Sequence, residues 1–203
     1  IKSQTSQEIV DFCLALEPSF AGIHLEDIKS PECFYVLREL EQKLSIPVFH
    51  DDQHGTAVVV LAGLINALKV VNKEMSDVKL VMNGAGAAGI ATLEILHTAG
   101  FQNLYALDSK GIITKDRTDL NPIKTEALKY VKSDITGSLT EAIVDADIFL
   151  GLSVAGVLKP ADVANMNEKP IVFALANPEP EIWPEEALKA GAKVVATGRA
   201  DYP

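Results

Sequence analysis

The chain has 203 residues, of which 48% are hydrophobic, and a formal net charge of −10. This length suits one sizeable α/β domain, or one domain with a piece of another, and the hydrophobic content excludes a disordered chain. The acidic balance, without a long basic run, argues against nucleic acid and an anionic membrane surface as partners. Cys13 and Cys33 lack metal-type spacing, which favours buried thiols in a reducing cytoplasm.

The sequence shows neither a signal peptide nor a membrane span. The longest apolar stretch, 57–64, is too short to cross a bilayer and is interrupted by Gly63. The chain lacks an initiator methionine and stops just after an apparent strand. We therefore expect it to be a fragment, or the ordered part, of a longer protein.

The first quarter of the chain predicts a βαβ unit. Helical periodicity over 6–16, with Ser6 as its cap, precedes a strand at 20–25, a helix at 33–44 with Pro31 near its start, and a short strand at 47–49. Both strands are followed by paired acids, Glu26-Asp27 and Asp51-Asp52.

The rest of the chain alternates between short apolar strands and helices. A long apolar helix, 57–71, is expected to be buried on most sides. The further predicted strands are 78–82, 103–107, 146–150, 171–176 and 194–196, and the further helices are 90–99, 125–131, 138–144, 160–165 and 184–190. This alternation predicts an α/β fold with a doubly wound, mostly parallel sheet of the Rossmann type, in which ligands bind at the carboxyl ends of the strands.

A glycine-rich turn between the strand at 78–82 and the helix at 90–99 predicts a dinucleotide site. In such turns the first glycine allows a tight turn, the second lets the backbone approach a pyrophosphate, and the third lets the helix lie close to the sheet. Asp108 follows about 20 residues later, the spacing of a carboxylate that binds ribose hydroxyls. A purely structural turn is the alternative. The residues that spell G-x-G-x-x-G are Gly84, Ala85, Gly86, Ala87, Ala88 and Gly89.

The acid pairs allow two interpretations. Four carboxylates at the ends of adjacent strands repel one another unless a cation neutralises them, and Mg²⁺ or Mn²⁺ suits such oxygen ligands. Alternatively, Asp27 or Asp52 caps the next helix. His50 and His54 have the spacing of helical metal ligands, but two histidines without a third ligand are more often structural groups.

Several of these segments together resemble malic enzymes, in their shorter bacterial form. The resemblance extends along essentially the whole chain, in the order of the family. The segments are Ile23 to Asp27, Phe49 to Ala57 (FHDDQHGTA, which is highly specific), Asn83 to Gly89, Asp108 to Gly111, and Ala176-Asn177-Pro178.

The resemblance implies oxidative decarboxylation of (S)-malate to pyruvate and CO₂ with reduction of NAD or NADP. It implies that residues 1–50 end a substrate domain and that 51–203 form the NAD(P)-binding domain. Its implied metal ligands are Glu26, Asp27 and Asp52, with Asp51 as a supporting catalytic acid. Its implied cofactor-binding residues are the 84–89 loop, Asp108, Ser153 and Asn177, and Asn177 also contacts substrate.

The same resemblance implies that a Tyr acid, a Lys base and a substrate-binding Arg belong to segments before Ile1. We therefore expect the 203 residues alone to be poorly active or inactive. The charge of Asp108 favours NAD over NADP, although Ser109 and Lys110 have the chemistry to pair with a 2′-phosphate. A homodimer or higher oligomer is expected. The alternatives are another NAD-dependent hydroxy- or amino-acid dehydrogenase, and a non-catalytic nucleotide-binding module.

Overall fold

The computed structural model describes residues 5–199. The helices are α1 Ser6–Leu16, α2 Glu32–Lys43, α3 Thr56–Val71, α4 Ala87–Ala99, α5 Pro122–Ala127, α6 Leu139–Ala142, α7 Pro160–Ala164 and α8 Pro184–Lys189. The strands are β1 Ile23–Leu25, β2 Val48–His50, β3 Lys79–Asn83, β4 Asn103–Asp108, β5 Gly111–Ile112, β6 Ile148–Gly151, β7 Ile171–Ala174 and β8 Val194–Thr197. A 3₁₀ turn, Glu17–Ser19, follows α1, and a π-helical segment, Asp51–Gly55, joins β2 to α3.

The larger sheet has six strands in the order β5-β4-β3-β6-β7-β8. All neighbouring strands run parallel except β4 and β5, which form a short antiparallel edge hairpin that the sequence did not predict. The order reverses at β3, because β4 lies on one side of it and β6 on the other. The predicted doubly wound, mostly parallel sheet is confirmed, with its switch point between β3 and β6.

The side chains of β3 show that both faces of this sheet are covered. Leu80 and Met82 join one buried cluster with α3 and α4, whereas Val81 joins a second cluster with α6 and α8. All three side chains are fully buried. Because successive strand residues point to opposite faces, an unbroken apolar run is what a sheet covered on both sides requires.

The smaller sheet pairs β1 with β2 in parallel and confirms the predicted βαβ unit. Helices α1 and α2 pack on it through a separate buried cluster that includes Val10, Leu37 and Leu40. The guanidinium of Arg38 on α2 donates two hydrogen bonds, at 3.2 and 2.6 Å, to the carboxylate of Glu126 on α5. This ion pair links the smaller unit to the helices of the larger sheet.

The predicted cap of α1 is wrong. Thr5, not Ser6, is the N-cap: its backbone is extended, its hydroxyl accepts a hydrogen bond from the N–H of Glu8, and the Glu8 carboxylate accepts one from the N–H of Thr5. Ser6 is the first helical residue. This reciprocal arrangement satisfies two N–H groups that the helix leaves without partners, which a cap at Ser6 would not do.

Helix α3 is more exposed than its composition predicted. Val58, Val59 and Val70 are each more than half exposed, while the opposite side, including Leu64, contributes to the main core. Together with the π-helical segment, α3 forms a stretch, Asp51–Val71, that is long and apolar enough to cross a membrane by length and composition alone. That test tolerates polar residues within the stretch, whereas 57–64 is only the apolar part of the predicted helix 57–71, and core helices pass the same test.

Candidate functional site

The three loop glycines have different surroundings. Gly84 has a φ of +121°, and a Cβ there would overlap the carbonyl oxygen of Leu152. A Cβ on Gly89 would overlap the carbonyl oxygen of Gly84, because α4 crosses the end of β3 at close range. Gly86, which immediately precedes α4, has no atom within 4 Å of where its Cβ would lie. Open space beside the free N–H groups of a helix N-terminus is what a pyrophosphate requires.

A cavity of about 440 Å³ lies beside this loop at the switch point of the sheet. Its walls come from the ends of β3 and β4 and from the loop after β6, and they include Gly84, Ala85, Gly86, Asp108, Ser153 and Val154. The structure therefore brings together three features that the sequence predicted separately: the glycine loop, the acid at the end of β4 and the serine after β6. Asn177 lies apart from this wall, in the exposed loop after β7.

Asp108 is held in an ion cluster. Its oxygens accept hydrogen bonds from both terminal nitrogens of Arg117, at 2.8 and 3.2 Å, from Nζ of Lys124 at 2.5 Å, and from the N–H of Lys110 at 2.9 Å. Burial acts to raise the pKa of Asp108, but these hydrogen bonds together outweigh it and hold that pKa at about 2. Arg117 also forms an ion pair with Asp119, and this contact lowers the pKa of Asp119 below its ordinary value.

This cluster changes the electrostatic argument about the cofactor. The carboxylate of Asp108 was expected to repel a 2′-phosphate, yet two cations, Arg117 and Lys124, contact it directly. The sequence-based reason for preferring NAD is therefore weakened. Neither basic residue was singled out from the sequence. They lie in a loop and a short helix, and no sequence pattern indicates that this segment returns to pack against β4.

The loops after β6 and β7 are joined by a carboxylate that the sequence analysis missed. Glu181 is fully buried, and it accepts hydrogen bonds from Ser153 and from the N–H of Ala176. The hydroxyl of Ser153 in turn accepts a hydrogen bond from Nδ2 of Asn83 at 2.9 Å. A hydrogen-bonded chain therefore runs across the ends of β3, β6 and β7. Glu179, two residues earlier, is exposed, so composition alone does not reveal which glutamate is buried.

The two acid pairs meet at one edge of the smaller sheet. Leu25 pairs in register with His50, so both strands end at the same level. The N–H of Asp27 donates a hydrogen bond of 3.1 Å to Oδ2 of Asp52. Glu26 and Asp27 also line a cavity of about 870 Å³ against α1. The expected proximity of the pairs is confirmed at Asp27 and Asp52.

A complete metal site is not gathered in the described part of the chain. Within residues 5–199, no three His, Cys, Asp or Glu side chains lie close enough together to hold an ion. The alternative, in which Asp27 or Asp52 caps the next helix, is wrong. Pro31 is the N-cap of α2 and Gly55 that of α3, and neither N-cap position makes a side-chain capping hydrogen bond.

The two histidines beside Asp52 differ from each other. Nδ1 of His54 accepts a hydrogen bond from the N–H of His50, which agrees with the structural role favoured from the sequence. His50 is fully buried, and within residues 5–199 its ring nitrogens have no hydrogen-bond partner. Its Nδ1 lies 3.9 Å from Oδ2 of Asp52, and burial is the main cause that lowers the pKa of this imidazole.

Residues 53–200 match the protein family described as malic enzyme, NAD binding domain. The chain belongs to the malic enzyme family. It is 52% identical over 198 residues to the bifunctional malic/malolactic enzyme of Bacillus subtilis, an alignment that covers 97% of this chain and 48% of that protein. It is 50% identical to the NAD-dependent malic enzyme of Geobacillus stearothermophilus, covering all of this chain and 42% of that protein. The crystal structure of the NAD-dependent malic enzyme of Thermotoga maritima superimposes with a TM-score of 0.97 at 46% identity, covering all of this chain and 55% of that one.

The malic enzyme match includes the glycine loop, Asp108, Ser153 and Asn177, and it begins immediately after Asp52. The chain spans about half, or less, of the length of the curated malic enzymes above. Relatives named for either cofactor have similar identity: 50% for the Geobacillus enzyme named for NAD, and 46% for one from Haemophilus influenzae named for NADP. Overall sequence identity to malic enzymes therefore does not indicate which of the two cofactors this chain prefers.

Proposed function

We propose that the protein carrying this chain converts (S)-malate to pyruvate and CO₂ while reducing NAD or NADP, with the assistance of Mg²⁺ or Mn²⁺. The observation that carries this proposal is the combination of two sites in one chain. One is the glycine loop with its cavity at the switch point, and the other is the meeting of Asp27 and Asp52 at the carboxyl ends of β1 and β2. A nucleotide domain alone would not need the second site.

In this proposal, Glu26, Asp27 and Asp52 hold the metal ion, and Asp51 supports them. The donor set fits a hard divalent cation, because all the donors are carboxylate oxygens. The hydrogen bond between Asp27 and Asp52 already brings two of the three ligands together. The bound ion supplies Lewis acidity toward the hydroxyl and a carboxylate of malate. Oδ1 of Asp51 lies 3.8 Å from Nε2 of His24.

The cofactor would lie along the switch point. The loop 84–89 and the first turn of α4 bind the pyrophosphate, Asp108 and its basic partners face the adenosine ribose, and Ser153 lies beside the nicotinamide ribose. Asn177, exposed after β7, contacts substrate and cofactor. A bound NAD or NADP would supply the hydride acceptor for the oxidation of malate. These residues bind and orient; the proton that the product requires comes from a general acid outside this set.

We propose NAD as the cofactor. The resemblance to malic enzymes supports Asp108 as the acceptor of a free 2′-hydroxyl, and a carboxylate at this position repels a phosphate more than a neutral group does. Arg117 and Lys124 act in the other direction, since they have the chemistry to bind a 2′-phosphate. Measured rates with both cofactors decide this point.

We also propose a domain division, a cellular location and an oligomeric state for the protein. Residues 1–50 would complete a substrate domain and 51–203 form the nucleotide domain. The protein would act in the cytoplasm, where its two free cysteines, both buried, stay reduced. It would assemble as a homodimer or a higher oligomer, which light scattering of the natural polypeptide measures directly.

The experiment follows reduced nicotinamide by absorbance in the natural polypeptide that carries these residues, with malate and Mn²⁺ and with NAD and NADP in turn. Asp52→Asn should abolish turnover and weaken Mn²⁺ binding measured by calorimetry. Asp11→Asn, an exposed carboxylate on α1, makes the same charge change away from the site and should alter neither. A wild-type protein that binds NADH but never oxidises malate would refute the proposal and favour a non-catalytic nucleotide-binding module.

A further inference from the structure

The side chain of Glu181 connects two loops at the ends of neighbouring strands. One carboxylate oxygen accepts hydrogen bonds from the N–H and the hydroxyl of Ser153, at 2.8 and 3.2 Å. The other accepts a hydrogen bond of 3.0 Å from the N–H of Ala176, which immediately precedes Asn177. Glu181 therefore contacts both the loop after β6 and the loop after β7 through these three donors.

Backbone hydrogen bonds to the 180–181 segment also hold the loop after β6 in place. The carbonyl oxygen of Pro180 accepts a hydrogen bond from the N–H of Gly156, and that of Glu181 accepts one from the N–H of Leu158, both at 3.1 Å. The loop held in this way carries Val154 and Val157 into the wall of the cofactor cavity. The position of that wall therefore depends on the 180–181 segment.

The end of β6 leaves space for this carboxylate. A Cβ at Gly151 would overlap the carboxyl group of Glu181, so a glycine at this position is what allows the side chain to enter. A fully buried carboxylate loses its hydration, and only well-formed hydrogen bonds offset that cost. An apolar residue would fill the same space without that cost, but it would not tie the two loops together.

We propose that Glu181 is a positioning residue for the nicotinamide half of the cofactor. This inference rests on the proposed dinucleotide site. Dinucleotides cross the switch point with one half on each side of it. Asp108, the last residue of β4, belongs to the adenosine side, so the loops after β6 and β7 face the nicotinamide side. Glu181 itself touches neither half; it acts through Ser153 and through the loop that carries Asn177.

The test compares two ligands in the natural polypeptide: NADH, and ADP, which lacks both the nicotinamide and its ribose. Glu181→Gln keeps the shape of the side chain but places an amide N–H₂ against a backbone N–H donor. We expect it to raise the Kd for NADH by about tenfold or more and to leave the Kd for ADP within about twofold. Glu186→Gln, an exposed glutamate on α8, is the matched control and should change neither constant.

A second variant, Gly151→Ala, displaces the carboxylate without changing its charge and should give the same split between the two ligands. Equal loss of affinity for both ligands, or no loss for either, would overturn the positioning role. Failure of both variants to fold would also overturn it, because Glu181 would then be a residue of the folded core. A wild-type protein that binds no NADH would instead overturn the proposed dinucleotide site, so the two failures are distinguishable.

Discussion

Replacing Asp108 by Asn removes the carboxylate that Arg117 and Lys124 both contact at the end of β4. The side chain of Asp108 is only 8% exposed, so solvent screens these contacts weakly. Its pKa of about 2 in the folded chain, against about 3.9 in an unfolded one, corresponds to roughly 2.5 kcal/mol of stability at neutral pH. Because the folded pKa is the lower one, this stabilisation is complete well above pH 4 and is lost as the pH falls through about 2.

Urea unfolding followed by the fluorescence of Trp183, the single tryptophan of the chain, measures this contribution. We expect Asp108→Asn to lower the free energy of unfolding by about 2.5 kcal/mol at pH 7, and by about half as much at pH 3. Asp116→Asn, an exposed carboxylate in the same segment, is the control for charge and should differ little from the wild type. A deficit in Asp108→Asn that stays constant between pH 5 and pH 3 would refute the ion-cluster explanation.

Three further predictions concern the loop glycines, the cofactor and the link between the units. Gly89→Ala should lower the free energy of unfolding by about 2 kcal/mol or more, because its Cβ meets backbone. Gly86→Ala should leave the free energy of unfolding unchanged and weaken NADH binding, because its Cβ meets no protein atom. Chemical denaturation measures the first effect and a binding titration the second, and equal losses of stability in the two variants would contradict the assigned roles. Arg117→Met should weaken NADPH binding more than NADH binding, since it removes a cation beside the adenosine ribose; an unchanged ratio of the two Kd values would exclude Arg117 from the 2′-phosphate site. Breaking the half-exposed pair of Arg38 and Glu126 with Arg38→Met should cost only about 0.5 kcal/mol in urea unfolding, and a loss above about 1.5 kcal/mol would mean that the contact between the units depends on it.

Local sequence determined the elements and the glycine loop of this protein. The run at Val78 to Met82, apolar except for Lys79 near its start, predicts a buried strand because a strand covered on both faces favours apolar residues at successive positions, and the structure buries Leu80, Val81 and Met82 completely. Gly84 and Gly89 of the loop were readable because other residues do not fit there: Gly84 has a φ of +121°, and a Cβ at Gly89 would meet backbone. Family membership followed from the same short motifs, which the match to malic enzymes confirms.

The tertiary structure alone decided which charged groups act on each other. Arg117 and Lys124 lie well beyond Asp108 in the chain, and only the return of their segment to β4 makes them its partners. No local sequence pattern distinguishes the buried Glu181 from the exposed Glu179. Glu181 is buried because the loops after β6 and β7 approach each other and because Gly151 leaves space for its carboxylate. Periodicity and motif spacing depend on neighbours within a few residues, whereas the energy of an ion pair or a buried carboxylate depends on distances set by the packing of the whole sheet.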